Sequence, residues 1–154
     1  MDWSLELLMA GRALLAALLG ALIGWERVRH GREAGIRTYA AVSLGACVFG
    51  LISSHVSESA DPARIAAQVV TGVGFLGAGV IMREKGRITG LTTAATLWAS
   101  ASVGLGIAFG MYTLGLLSTV IVFSLLAAHH VPGWSRFQKG DNHKVATHSG
   151  DGDA

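Results

Sequence analysis

Residues 18–41 read LLGALIGWERVRHGREAGIRTYAA, a segment that changes from apolar to basic and back to apolar. The first apolar run ends near Trp25, and a second begins at Thr38 after a loop that contains several arginines. A helix needs about 20 mostly apolar residues to cross a hydrocarbon core of ~30 Å. Short basic loops stay on the cytoplasmic side of a membrane. This segment therefore predicts the cytoplasmic turn between two membrane-spanning helices.

Further apolar runs extend on both sides of this turn, and the composition agrees with them. Of the 154 residues, 51% are hydrophobic and 14% are charged, below the charged fraction of about 25% that soluble domains show. No run has a sustained period of two, and no turn dipeptides separate short strands, so a membrane β-barrel is not expected. We predict an all-α membrane protein with five transmembrane helices, at residues 5–23, 38–54, 65–82, 93–109 and 113–131.

The basic residues predict the orientation of these spans. Ten of the twelve lysines and arginines fall after spans one, three and five, namely Arg27, Arg29, Arg32, Arg37, Arg83, Lys85, Arg87, Arg136, Lys139 and Lys144. By the positive-inside rule, the amino terminus lies outside and the carboxyl terminus in the cytoplasm. We divide the chain into a transmembrane domain, residues 1–137, and a mobile cytoplasmic tail, residues 138–154. The formal net charge of +2 does not favour nucleic-acid binding.

Small residues recur at positions where membrane helices approach one another. Lipid tails compete well for leucine, so such helices associate through glycine, alanine, serine and threonine. We expect helix packing at Gly20, Gly24, Gly74, Gly77, Gly79 and Gly104. The pattern does not distinguish contacts within one chain from contacts with a second copy, and a homodimer is one reading of it.

The sequence also contains a weak internal repeat. LLGALIGWER (18–27) resembles FLGAGVIMRE (75–84), and each is followed by a basic loop and a glycine-led helix start, GIRTYAA (35–41) and GLTTAA (90–95). Both segments would leave the membrane on the same side, so this predicts a parallel two-helix repeat.

Residues 72–77, GVGFLG, match the letters of a dinucleotide-binding fingerprint. That motif needs a preceding strand and an acidic residue about 20 positions later. Here the letters lie within an apolar span, and residues 90–95 contain no acid. We therefore assign these glycines to helix packing and expect no cofactor.

Arg12 is the most unusual residue, because it interrupts the first span. An arginine at mid-membrane costs at least about 2.5–3.5 kcal/mol and is rare unless it is paired or faces a polar cavity. We predict a polar intramembrane site of Arg12, Gln68 and Thr71, with a carboxylate or lipid phosphate as the partner of Arg12. In the alternative, Arg12 reaches the outer surface, and Gln68 and Thr71 form interhelical hydrogen bonds.

A second group of polar residues lies at the cytoplasmic ends of the spans. It comprises Glu26, Arg27, Arg37, Thr38, Arg83, Thr92 and Thr93. Threonines at a helix start can cap free amides, and this end of a helix carries a partial positive charge. Beside arginines, two such starts would form an anion-attracting pocket for phosphate or a lipid headgroup. Ordinary capping and positive-inside anchoring explain the same residues equally well.

Metal and catalytic sites are not expected. Mg²⁺ usually binds one or two carboxylates while it keeps several waters. The predicted spans hold only Glu6, near the outer surface, and Glu26 lies just beyond span one, near the inner surface. Cys47 is the only cysteine, which excludes an intrachain disulfide and a cysteine-based zinc site. Nothing places a nucleophile beside a base, so we expect no enzyme.

Three long motifs carry a family resemblance. GALIGWERVRHGREAGIRT (20–38), RIAAQVVTGVGFLGAGVIMRE (64–84) and GLTTAATLWASASVGLGIAFGMY (90–112) closely resemble the MgtC/SapB family of bacterial membrane proteins. The resemblance covers about residues 5–131, and it also places an arginine at the position of Arg12. It implies a protein of the bacterial inner (cytoplasmic) membrane with about five spans. Longer members append a soluble cytoplasmic domain; we expect no counterpart here, so functions located there do not transfer.

The resemblance implies two alternative functions. The first is a non-enzymatic regulator tied to low-magnesium growth, ion homeostasis and survival during infection, which acts on a membrane partner such as the F-type ATP synthase. The second is a transporter or channel for magnesium or another ion, with Arg12, Gln68 and the inward helix starts along the pathway. In both, the lipid bilayer is the surrounding partner.

Overall fold

The computed structural model describes residues 2–55, 61, 63–84 and 87–128. These residues form five helices and one short β-hairpin, in the order α1 (Trp3–Arg29), α2 (Ile36–His55), α3 (Ala63–Val80), β1 (Met82–Glu84), β2 (Arg87–Thr89), α4 (Leu91–Ala108) and α5 (Tyr112–Ala127). The predicted tail, 138–154, and the last residues of the fifth predicted span lie outside the described residues.

Three helices in the described part of the chain, α1, α2 and α4, are long and apolar enough to cross a membrane. At 1.5 Å per residue, the 27 residues of α1 extend about 40 Å. Helix α5 has 16 residues, and the apolar stretch of α3, Arg64–Val80, is also too short to be counted with these three. The predicted helices are therefore present, whereas a five-pass arrangement stays a prediction.

Helix α1 is longer than its predicted span because polar residues extend both of its ends. Asp2 is the N-cap, and its carboxylate accepts hydrogen bonds from the Ser4 hydroxyl (2.6 Å) and the Ser4 amide (3.2 Å). These bonds hold the pKa of Asp2 below its usual range. At the other end, the helix continues through Arg27 to Arg29, where cations interact favourably with the helix dipole.

The fold is helical as predicted, apart from one short β-hairpin that the sequence analysis did not predict. Strands β1 and β2 pair antiparallel, with Met82 opposite Thr89 and Glu84 opposite Arg87. Met82 was expected at the end of the third span, but α3 ends at Val80. Charged residues and the β-branched pair Ile88 and Thr89 follow, a composition that fits an exposed strand better than a membrane helix.

Helices α2 and α4 lie side by side at the centre of the bundle, and close contacts at small residues hold them against their neighbours. Gly20 of α1 lies against Tyr39 and Ser43 of α2, and Gly24 lies against the first turn of α2. Gly104 of α4 lies against the Ser43 carbonyl. A Cβ at any of these three glycines would collide with backbone atoms, so these contacts require glycine.

The predicted packing glycines of α3 divide into two groups. Gly77 packs against Ala94 of α4. Gly74 and Gly79 face open space, with no other part of the described chain near their Cβ positions. These two glycines of α3 are therefore not used in packing against the other described residues.

Buried polar groups join α2 to α4. The Tyr39 side chain is fully buried, and its hydroxyl is hydrogen-bonded to the Thr96 hydroxyl at 2.6 Å. The Ser100 hydroxyl donates to the Tyr39 carbonyl at 3.2 Å. Such bonds hold membrane helices together where apolar packing alone is weak.

The contacts place α2 and α4 parallel, with α1 antiparallel to α2. Arg27, Arg29, Arg32, Arg37, Arg83 and Arg87 consequently lie at one end of the bundle, which we call the basic end. Arg12 and Arg64 lie toward the other end. Both α2 and α4 begin directly after a glycine, Gly35 and Gly90, as the proposed repeat requires; the repeat itself stays a prediction.

Candidate functional site

Arg12 is partly buried between three helices. Its Nε donates a hydrogen bond to the Tyr112 hydroxyl (2.8 Å), and Nη1 donates to the Ala108 carbonyl (3.0 Å). The guanidinium carbon also lies 5.7 Å from the centre of the Tyr112 ring. Arg12 thus ties α1 to the end of α4 and the start of α5.

Within the described chain, the partners of Arg12 are a hydroxyl and a backbone carbonyl, and the expected carboxylate or lipid phosphate stays a prediction. Ala108 is the last residue of α4, and carbonyls at a helix C-terminus are unsatisfied and carry a partial negative charge. Arg12 lies nine residues after Trp3, the first residue of α1. About 13 Å of α1 therefore extends beyond the level at which Arg12 meets the end of α4. Arg12 of the first span therefore lies against the C-terminal end of α4, at the level of the turn between α4 and α5.

The structure does not bring Gln68 and Thr71 to Arg12. Both lie exposed on α3, and the Thr71 hydroxyl donates to the Ala67 carbonyl of its own helix at 3.3 Å. Gln68 lines an apolar groove of about 480 Å³ between α2 and α3, together with Phe49 and Gly72. The three residues therefore do not form one polar site within the described chain.

Arg27 and Glu26, near the end of α1, are the most deeply buried charged residues described. Arg27 is 6% exposed and Glu26 is 4% exposed. The Arg27 Nη2 donates to the Thr93 hydroxyl of α4 at 2.9 Å, whereas Nε has no hydrogen-bond partner. No ion pair of Arg27 is present among the described residues.

Glu26 binds a residue one turn further along α1. The Nδ1 atom of His30 lies 2.8 Å from both the carboxylate Oε1 and the backbone oxygen of Glu26. The second carboxylate oxygen, Oε2, is buried without a partner. The pair of adjacent residues Glu26 and Arg27 thus presents one unsatisfied acceptor and one unsatisfied donor.

These groups line a cavity of about 350 Å³, which we call the basic-end pocket. Its polar wall consists of α1 and the following loop, and its other walls come from the hairpin, α4 and α5. The lining residues are Glu26, Arg27, His30, Arg32, Ile88, Gly90, Leu91, Thr92, Thr93, Leu125 and Leu126.

The first turn of α4 is not capped by its threonines, contrary to the expectation. The N-cap is Gly90, with φ of +86°, and no side chain caps the helix. Gly90 packs so closely on the Val80 carbonyl that a Cβ would collide with it. The Thr93 hydroxyl instead accepts the hydrogen bond from Arg27.

The expected cytoplasmic cluster is brought together only in part. Glu26, Arg27, Thr92 and Thr93 line the basic-end pocket, whereas Arg37, Thr38 and Arg83 are exposed and do not. Sequence reasoning missed His30 and Arg32. The i, i+4 spacing of Glu26 and His30 on one helix face could have identified His30.

No group of three or more His, Cys, Asp or Glu side chains that could hold a metal ion occurs within residues 2–55, 61, 63–84 and 87–128.

Comparison with known proteins identifies the family. The model of the MgtC family matches residues 13–131, which include the basic-end pocket and begin one residue after Arg12. The chain belongs to the MgtC family. It is 53% identical over 109 residues to Protein MgtC of Salmonella typhimurium, which covers 71% of this chain and 47% of that protein.

Two further members of the MgtC family are similar. Protein MgtC of Brucella abortus is 47% identical over 112 residues, which cover 73% of this chain and 47% of that protein. A protein of Escherichia coli K12 named putative magnesium transporter YhiD is 42% identical over 127 residues, 77% of this chain and 59% of its own. The chain thus spans about half the length of the curated relatives it matches. No solved structure matches it.

Proposed function

We propose that the chain is a non-enzymatic regulator of the bacterial inner membrane, tied to magnesium homeostasis, low-magnesium growth and survival during infection. It crosses the bilayer five times with its basic end in the cytoplasm, and it acts by contact with another membrane protein. The membrane sector of the F-type ATP synthase is the partner that the family resemblance implies.

The outward face of α3 is the observation that carries this proposal. Gln68, Gly72, Phe75 and Gly79 follow at intervals of three or four residues and so share one helix face. All four are exposed, and Phe75 is 81% exposed. Membrane helices associate through small residues, and polar side chains such as glutamine hydrogen-bond across these contacts. This face has the composition of a helix contact. Gln68 and Gly72 border the groove between α2 and α3, and no helix of the described residues covers the exposed Phe75.

Three polar groups inside the bundle also favour a regulator over an ion pathway. Tyr39 binds Thr96, Ser100 binds the backbone of α2, and Arg12 binds Tyr112 and the end of α4. Each group is used to join two helices. An ion pathway would instead need these groups to face an aqueous route through the bundle.

Site-specific photocrosslinking in native membranes tests the contact surface. A photoreactive residue replaces Phe75 on α3, and a matched control replaces Leu18, which is 59% exposed on α1. We expect Phe75 to crosslink to a membrane subunit of the ATP synthase, and Leu18 to give only background. A crosslink of Phe75 to a second copy of this chain would support a homodimer through the same face. Equal background at both positions would refute a partner at α3.

Transport is the second candidate, because the similar protein YhiD is named a putative magnesium transporter. Reconstitution into liposomes that enclose a magnesium-sensitive dye separates the two functions. A regulator gives no more Mg²⁺ entry than empty liposomes. Saturable entry that is lost in Arg12→Ala but kept in the folded control Arg64→Ala would establish transport and overturn the regulator.

A further inference from the structure

The burial of Arg27 is not balanced by the groups around it. Arg27 is 6% exposed, and within the described chain its guanidinium has one hydrogen bond, to the neutral Thr93 hydroxyl, and no ion pair within 4 Å. Burying an ion without a directly paired counter-charge is costly, and the Nε donor is left unsatisfied as well. Arg27 therefore faces the basic-end pocket with unused capacity to bind an anion.

The first turn of α4 adds a second positive element at the same place. Thr93 lies in this turn, so its hydrogen bond holds the Arg27 guanidinium against the beginning of the helix. No side chain caps the helix, and free amides with a partial positive charge at a helix N-terminus favour phosphate. Arg32 also lines the pocket. An arginine fork beside free amides is the usual chemistry of phosphate recognition.

Glu26 sets a further requirement on the ligand. Glu26 lines the pocket and its Oε2 is buried without a donor. A carboxylate beside the site would repel a bare anion. A ligand whose phosphate is accompanied by an N–H or O–H donor would satisfy both Arg27 and Glu26. An ethanolamine phosphate and a protonated inorganic phosphate both have this chemistry.

The remaining wall of the pocket is apolar. Ile88, Leu91 and Leu125 line it, and each is more than half exposed. The volume of about 350 Å³ lies at the low end of the ~300–1,000 Å³ typical of small-molecule sites. A pocket that is basic on one side and apolar on the other can hold the phosphate and the adjoining apolar part of a phospholipid. Basic pockets between membrane helices bind lipid headgroups in this way.

We propose that the basic-end pocket binds a phosphate group that carries an adjacent hydrogen-bond donor, with Arg27, Arg32 and the start of α4 on the phosphate and Glu26 on the donor. This site is independent of the regulator proposal, since binding can be measured without any partner protein. The phosphate is either that of a phospholipid such as phosphatidylethanolamine or inorganic phosphate.

The test measures thermal unfolding of the purified full chain in a neutral detergent and a phosphate-free buffer. Phosphatidylethanolamine and sodium phosphate are titrated separately. Phosphatidylcholine with the same acyl chains is the control lipid, because its quaternary ammonium has no N–H for Glu26.

We expect one of the two phosphate sources to raise the unfolding midpoint saturably, by about 3 °C or more at excess ligand. Phosphatidylcholine is expected to bind at least about fivefold more weakly than phosphatidylethanolamine.

Two arginine variants localise the effect. Arg27→Gln is expected to weaken binding at least about tenfold, because it removes a charged donor to phosphate. Arg37→Gln is the matched control, since Arg37 is exposed at the same end but does not line the pocket. Without ligand, Arg27→Gln should unfold at the wild-type midpoint or above it, because it removes an uncompensated buried charge. A purely structural Arg27 would give a lower midpoint.

The outcomes are decisive in both directions. A saturable shift with lipid alone assigns the site to a headgroup, and a shift with sodium phosphate alone assigns it to free phosphate. No shift with either, or a full shift in Arg27→Gln, overturns the proposal. If Arg27→Gln fails to fold, Arg32→Gln replaces it, since Arg32 is exposed; an unchanged affinity in that variant would likewise refute it. Equal binding of the two lipids would refute the role of Glu26.

Discussion

The Nε of Arg12 donates a hydrogen bond to the Tyr112 hydroxyl at 2.8 Å, and so joins α1 to the first residue of α5. The same guanidinium binds the last carbonyl of α4. One side chain therefore fixes three helices at the end of the bundle opposite the basic end. Because Arg12 has protein partners on two sides, its charge is stabilised without a carboxylate.

Removing this link should destabilise the protein. Arg12→Ala leaves the Ala108 carbonyl and the Tyr112 hydroxyl without their donor, and we expect a loss of about 1–3 kcal/mol in the free energy of unfolding. Tyr112→Phe removes one bond, with an expected loss of about 0.5–1.5 kcal/mol. Unfolding of both variants and of the double variant in detergent gives the coupling energy. Additive losses would contradict a direct Arg12–Tyr112 interaction.

The close contact of α4 with α2 predicts that Gly104 tolerates no side chain. Gly104→Ala would push a methyl group into the Ser43 carbonyl, and we expect overpacking to cost about 1–3 kcal/mol. Gly74→Ala is the matched control, because Gly74 lies in helix α3 with open space around it. Alanine there should stabilise the helix by about 0.5–1 kcal/mol. Unfolding midpoints that shift equally in the two variants would be inconsistent with this packing.

Among the residues at the start of α4, Gly90 should be the one at which substitution lowers the free energy of unfolding most. Its φ of +86° lies in the left-handed region, and a Cβ would collide with the Val80 carbonyl. Gly90→Ala therefore combines backbone strain of about 1–2 kcal/mol with a steric clash. Gly31 has a similar φ of +63° but no neighbouring atoms, so Gly31→Ala should show the strain alone. The difference in unfolding free energy between the two variants measures the clash, and no difference would exclude it.

The proposed orientation can be checked by labelling in intact spheroplasts. In a Cys47→Ala background, Glu33→Cys lies at the basic end and Asp61→Cys at the opposite end, and both side chains are exposed. A membrane-impermeant maleimide should label Asp61→Cys before lysis and Glu33→Cys only after lysis. The reverse pattern would invert the topology, and labelling of both before lysis would refute a membrane between the two ends.

The sequence predicted the helices well where apolar length and charge decide them. The centres of all five helices lie within the predicted spans, because each is a run of apolar residues between polar ones. The boundaries moved by a few residues where polar residues extend a helix, as at Asp2 and Arg29. The hairpin after α3 was missed because its two strands have three residues each and are too short to show a period.

The sequence identified individual residues of the candidate sites, but not which of them lie together in the structure. Arg12 was correctly singled out as unusual, yet its partners are 96 and 100 residues away in the chain, and no local pattern reveals such pairs. Of the expected cytoplasmic cluster, four residues line one pocket, whereas the exposed Arg37, Thr38 and Arg83 point elsewhere. Which arginine is buried depends on the neighbouring helix, and among the described arginines Arg27 alone is both buried and hydrogen-bonded to the start of α4.

The sequence by itself determined the number of helices, their apolar character and the gathering of positive charge on alternate loops, because these depend on local composition and on solvation of each segment. Only the tertiary structure decided that Arg12 binds the end of α4, that Arg27 and Glu26 are buried with unsatisfied atoms, and that the outer face of α3 is left uncovered. Such features arise when side chains from distant segments meet, and their energies depend on distances and burial that one segment alone does not define.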